Sequence, residues 1–153
     1  MIKKVLLFIS CFIPWFVSYI FPLDYDYYEK IKLPFFAPPQ IFYPIAWTII
    51  YVLIAITIYQ IVSSHALKDI PKSYKKTLLI NYLSNQSYTL IFFGLQKPFL
   101  GVLSTLGTFL STLFLKEETE LINSKISKLL IPYILLSLFA TILSLSIYFL
   151  NSI

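Results

Sequence analysis

Five apolar runs occupy most of this chain, at 5–22, 40–62, 77–96, 98–115 and 129–150, and none of them contains a charged residue. A helix of about 20 such residues crosses the hydrocarbon core of a bilayer. All seven carboxylates lie outside the runs, at Asp24, Asp26, Glu29, Asp69, Glu117, Glu118 and Glu120. Hydrophobic residues make up 58% of the 153 positions and charged residues 12%. A soluble domain has about 45–50% apolar and about 25% charged residues. A soluble fold could not cover this much apolar surface with so few charges, and mean hydropathy is +0.80. The pattern predicts an all-α membrane protein. Residues 1–153 form a single five-helix transmembrane domain, and 23–39 is its longest loop.

The net charge of +5 comes from lysine alone, because the chain has no arginine. With five spans, one face carries Lys3, Lys4, Lys68, Lys72, Lys75, Lys76, Lys116, Lys125 and Lys128, and the other carries Lys30, Lys32 and Lys97. Cytoplasmic loops are the lysine-rich ones. The nine-to-three split places the N-terminus inside and the C-terminus outside; a bacterial cytoplasmic membrane is the expected location. Lysines flanking apolar runs report orientation rather than phosphate recognition, so no nucleic-acid partner is expected. Lys3 and Lys4 resemble the start of a signal peptide, but no small-residue cleavage pattern follows, and the first run is read as a retained span.

Several chemistries lack their residues. No Asp, Glu, Lys, Arg or His lies within a span, which argues against a proton relay or ion-coupled pump. His65 and Cys11, one of each type, cannot build the usual zinc or copper site. Three glycines offer no phosphate-binding loop. Ser/His/Asp catalysis would require His65 to meet a serine and an acid at the inner surface. The sequon Asn85-Gln86-Ser87 lies at membrane depth, where glycosylation does not occur. No internal repeat points to a transporter built from paired halves.

The polar features that remain sit on particular faces. In "TLLINYLSNQSYTLIFFGLQ", Asn81, Asn85 and Thr89 recur every four residues, with Ser84, Gln86 and Tyr88 nearby. An unpaired amide in hydrocarbon costs several kcal/mol, so these groups face other helices or a cavity. Interhelical hydrogen bonding and ligand contact both satisfy that requirement. Tyr43, Trp47 and Tyr51 share one face of the second span, as a packing stripe or a binding wall. The fourth span carries Gly101, Ser104, Thr105, Gly107, Thr108, Ser111 and Thr112, small residues that let helices approach inside the bundle or across a dimer. The fifth aligns Leu136, Ala140 and Ser144, and the last two leave space. The loop "LDYDYYEKIKLPFFAPP" reads either as a cover over the bundle's outer mouth or as an interfacial aromatic belt.

The runs "PPQIFYPIAWTIIY", "NYLSNQSYTLIFFG" and "LLIPYILLSLFATILS" followed by "IYFLN" together resemble the tryptophan-rich sensory protein/translocator protein (TspO/MBR) family. The resemblance covers nearly the whole chain and implies a five-helix membrane bundle, often a homodimer. It implies a receptor for porphyrin-like flat hydrophobic ligands, with a transport or sensing role and no required cofactor. Protoporphyrin IX or a haem-related tetrapyrrole is the implied ligand, and some members also bind sterols and benzodiazepine-type drugs. By resemblance, Trp47 matches a pocket tryptophan of the second helix, with Tyr43 and Tyr51 beside it. Asn81, Asn85 and Gln86 match polar positions of the third helix, and Ala140 a small position of the fifth. Phe36 and Leu136 stand where the family usually has tryptophan. Some members are credited with light- and oxygen-dependent porphyrin breakdown in which pocket tryptophans take part. With only Trp15 and Trp47 present, that enzymatic activity is expected to be weak or absent here. A structural partner subunit is the remaining alternative. The sterol-type pattern is missing from the last helix, because no lysine follows Lys128; Leu23, Tyr25 and Lys30 match it only in the outer loop.

Overall fold

The computed structural model describes residues 2–21 and 25–152, with Tyr25 described by its backbone only. Leu23 and Asp24, and the last residue of the first expected span, lie outside the described residues. Helix α1 (Ile2–Phe12) continues as a 3-10 helix over Ile13–Ile20, with Pro14 in its first turn. Proline has no N–H and crowds the carbonyl four residues back, so the regular helix cannot continue through it. The tighter coil eclipses residues three apart. Trp15 and Ser18 therefore both turn inward and are buried, while Ile13 and Ile20 stay exposed.

Short α2 (Tyr25–Lys30) and an irregular segment lead to α3 (Phe42–Ser64). That segment is fastened to the end of the last helix. Asn151 accepts a hydrogen bond from the Lys32 N–H at 2.8 Å and donates to the Lys32 carbonyl at 3.0 Å. Helix α4 (Lys72–Thr89) ends in a π turn, Leu90–Gly94. Gln96 has a positive φ of 51° in the bend before α5 (Pro98–Ile122). Helix α5 runs two turns past the expected 98–115, where Lys116 pairs with Glu120. Four-residue α6 (Ser124–Ser127), capped by the Asn123 side chain, and a 3-10 turn (Lys128–Leu130) lead into α7 (Ile131–Asn151).

Four helical segments are long and apolar enough to cross a membrane: Ile2–Ile20, Phe42–Ser64, Pro98–Ile122 and Ser124–Asn151. Helix α4, with its lysines and amides, falls outside that group. The chain is an all-helical integral membrane protein, and no strand occurs among the described residues. The most extensive helix pairings are α5 with α4 and with α7, followed by α1 with α3. Small residues explain the first of these. A Cβ on Gly107 would lie 3.1 Å from Ser84 Oγ, and one on Gly101 would lie 3.1 Å from the Phe92 ring. Ser104 donates to the Ser84 carbonyl at 2.6 Å. The small face of α5 is thus covered within the bundle. Helix α3 leans on α1 but approaches α7 at few positions and α4 at fewer still. The space this leaves is where the site lies.

Candidate functional site

A cavity of about 580 Å³ lies between α3 and the packed group of α4, α5 and α7, at the end of the bundle that carries the 23–39 loop. Small-molecule pockets run from about 300 to 1,000 Å³. Helix α3 supplies Tyr43, Ala46, Trp47 and Tyr51, and α4 supplies Asn85, Tyr88 and Thr89. The π turn after α4 adds Phe92 and Phe93, α7 adds Leu136, Ala140 and Ser144, and α2 adds Tyr28 from the loop side. Ala46, Ala140 and Ser144 leave the room that larger side chains would fill. Among the described lining residues there is no charged group, histidine, cysteine or methionine. Tyr27 of α2, beside the Phe92 ring, has its phenol pushed above the usual range by burial, so it stays neutral.

The floor is a continuous hydrogen-bonded chain. Tyr51 donates from its hydroxyl to Asn85 Oδ1 at 3.0 Å, and Gln86 Nε2 donates to the same oxygen at 2.8 Å. Asn85 Nδ2 donates to the Tyr133 hydroxyl at 3.3 Å, and Tyr133 donates to Asn81 Oδ1 at 2.9 Å. Asn81 Nδ2 reaches Thr112 Oγ1 at 2.9 Å and Ser111 Oγ at 3.0 Å. At the other end, the Ser18 N–H donates to Gln86 Oε1 at 2.8 Å. The chain ties the 3-10 helix Ile13–Ile20 to α3, α4, α5 and α7 beneath the cavity. Each amide is satisfied, as burial in hydrocarbon requires.

Six of the nine residues singled out from sequence line the cavity: Tyr43, Trp47, Tyr51, Asn85, Leu136 and Ala140. The other three differ. Asn81 is fully buried within the floor chain, off the cavity lining, and holds α4 to α5 and α7. Gln86 is buried with its side-chain oxygen turned to Ser18 of the 3-10 helix Ile13–Ile20. Phe36 is partly exposed and rests edge-on against Phe139, a lining residue, with ring centroids 6.4 Å apart. Four-residue spacing put Asn81 and Asn85 on one face, but it cannot say where along that face the cavity ends. Tyr133 and Trp15 were not singled out as site residues. Tyr133 closes the floor, and its position just after Pro132 on the small-residue face of α7 was the available signal. Trp15 stacks obliquely on Tyr51 at 5.8 Å, and Tyr51 on Trp47 at 6.0 Å, so both indoles flank one phenol.

His65 sits at the opposite end of the molecule, near Asp69. Among the described residues no three His, Cys, Asp or Glu side chains gather as a metal-binding group.

The family model described as TspO/MBR family matches residues 5–150. A relative from Bacillus cereus, "Tryptophan-rich protein TspO", is 32% identical over 134 residues, covering 88% of this chain and 86% of that protein. The protein of the same name from Archaeoglobus fulgidus is 32% identical over 126 residues, 82% of this chain and 80% of its own length. "Uncharacterized membrane protein YtaB" of Bacillus subtilis is 31% identical over 134 residues, 88% of this chain and 86% of its own length.

Proposed function

The chain belongs to the TspO/MBR family, and from that premise we propose that it is a membrane receptor for flat, porphyrin-like hydrophobic molecules held in the cavity between α3 and α7. The observation that carries this reading is the cavity itself. It is uncharged and large enough for a tetrapyrrole core, with Trp47 on one wall and the Asn85 amide at its floor. An apolar pocket with a few placed polar groups is the usual form of a small-molecule site. Transport or sensing would follow from release of the ligand or from a partner reading the occupied state. A second copy of the chain would dock on a face other than the small-residue face of α5, which α4 already covers.

Titrating the purified protein in lipid nanodiscs with protoporphyrin IX tests the proposal. Saturable quenching of indole fluorescence is expected. Both indoles flank Tyr51, so quenching amplitude alone does not locate the ligand. The deciding quantity is affinity, which should fall about five- to tenfold in Trp47→Phe as stacking area is lost. Absence of saturation in the wild type would overturn the reading.

A further inference from the structure

We infer that the loop-side end of the cavity is a hydroxyl-built subsite that takes an uncharged hydrogen-bond acceptor, such as an ester or ketone oxygen, on the edge of the bound molecule. This names the ligand chemistry of the site proposed above and rests on that proposal. Tyr43 lines the cavity, yet its hydroxyl is buried and is the one buried side-chain polar atom among the described residues with no hydrogen-bond partner. Such an orphan is destabilising, whereas phenylalanine of the same shape would carry no such penalty. Buried polar groups are nearly always paired, so an exception calls for a partner. Tyr88 accepts a hydrogen bond from Ser144 Oγ at 3.4 Å and still has its own proton to donate. Tyr28 brings a third phenol from α2; its hydroxyl is a close neighbour of the Tyr43 hydroxyl but lacks hydrogen-bond geometry to it. These three tyrosines come from three elements and pack in one cluster around Phe92, Leu143 and Ile147. Phenol hydroxyls gathered at one end of an otherwise apolar cavity suit a ligand atom that accepts. No cation lines the cavity. A carboxylate there would lose its hydration without a counter-charge, so the acceptor is uncharged.

Two uncharged porphyrins separate this inference from binding in general: octaethylporphyrin, whose edge is all hydrocarbon, and the dimethyl ester of protoporphyrin IX, whose edge carries ester oxygens. Their dissociation constants for the full chain in nanodiscs are read from Soret absorbance. The ester is expected to bind about tenfold more tightly, the worth of one or two net hydrogen bonds. In the double variant Tyr43→Phe/Tyr88→Phe the ratio of the two dissociation constants should fall toward one, whatever the change in octaethylporphyrin affinity itself. Tyr43→Phe alone should not lower the melting temperature of the ligand-free protein, because the hydroxyl it removes has no partner. A tenfold preference that persists in the double variant would overturn the inference and leave the receptor reading standing. So would a drop of several degrees in Tyr43→Phe, since the hydroxyl would then be structural. Failure of both porphyrins to bind the wild type would overturn the receptor reading, and this inference with it.

Discussion

Asn81 and Asn85 show how residues of one type, one turn apart, take different work. Asn85 meets the cavity, while Asn81 bonds Tyr133, Ser111 and Thr112 below it. Hydrogen bonds between membrane helices are worth about 0.6 kcal/mol on average and up to about 1.7. Asn81→Ala removes at least three of them and takes away the acceptor of the Tyr133 proton, while the Tyr133 oxygen still accepts from Asn85. It should destabilise the fold by about 1–3 kcal/mol, read as a lower melting temperature in detergent, while porphyrin affinity of the folded fraction changes less than twofold. An affinity loss larger than the stability loss would place Asn81 in the binding site after all. Both asparagines were visible in the sequence as groups that must avoid lipid. The division between them was not, because it depends on α5 and α7 closing over Asn81 through Ser111, Thr112 and Tyr133, while Asn85 one turn on reaches the cavity. Leu136 is a simpler case. It lines the cavity where the family usually has tryptophan, and leucine has no indole to oxidise. Leu136→Trp should therefore speed the loss of bound-protoporphyrin absorbance under illumination in air, relative to wild type in the same lipid. An unchanged rate would mean that an indole at this wall is not what limits the photochemistry.

At the scale of helices, the sequence pattern located the elements but not their irregularities. Apolar run length is a property of composition and survives any arrangement of the bundle. The 3-10 stretch after Pro14 and the π turn after Thr89 arise where a missing donor or a bend meets tertiary packing. Small residues on α5 were legible as a close-approach face, but not which neighbour would use it. The structure puts α4 there, with Ser84 Oγ only 3.1 Å from where a Gly107 Cβ would stand. Ser84 Oγ sits at the end of a short side chain on a helix, so it can give by a few tenths of an ångström but not by a whole side chain. Gly107→Ala should be tolerated with a small loss of stability. Gly107→Leu should push α4 from α5 and cost about 2 kcal/mol or more, the size of overpacking in a dense interior. Thermal melts of the two variants check the contrast, and equal behaviour would show the interface to be more compliant than its geometry.

For the molecule as a whole, the decisive element is α4. The apolar run 77–96 reads as a span, but the helix itself, Lys72–Thr89, carries Lys72, Lys75 and Lys76 in its first two turns and falls outside the group of helices long and apolar enough to cross. Yet it packs closely against α5, a helix that does have the length and hydropathy to cross. Its amides point into the bundle, while Leu79, Ile80, Leu83 and Leu90 are exposed along its outer side, as a lipid-facing stripe would be. A crossing α4 makes five spans and keeps Lys116, Lys125 and Lys128 on the same side as Lys3 and Lys4, nine lysines against three. Without that crossing, those three lysines move to the far side and Lys97 joins the near side, leaving seven against five, a much weaker bias. Five crossings with the N-terminus inside also place the cavity mouth and the loop fastened by Asn151 at the outer face. Cysteine labelling decides the matter, since Cys11→Ser leaves a cysteine-free background. In intact cells a membrane-impermeant maleimide should label Ser152→Cys, whereas Asn123→Cys should react only after lysis. Four crossings would reverse that pattern, because both positions lie beyond α4 and would change sides together.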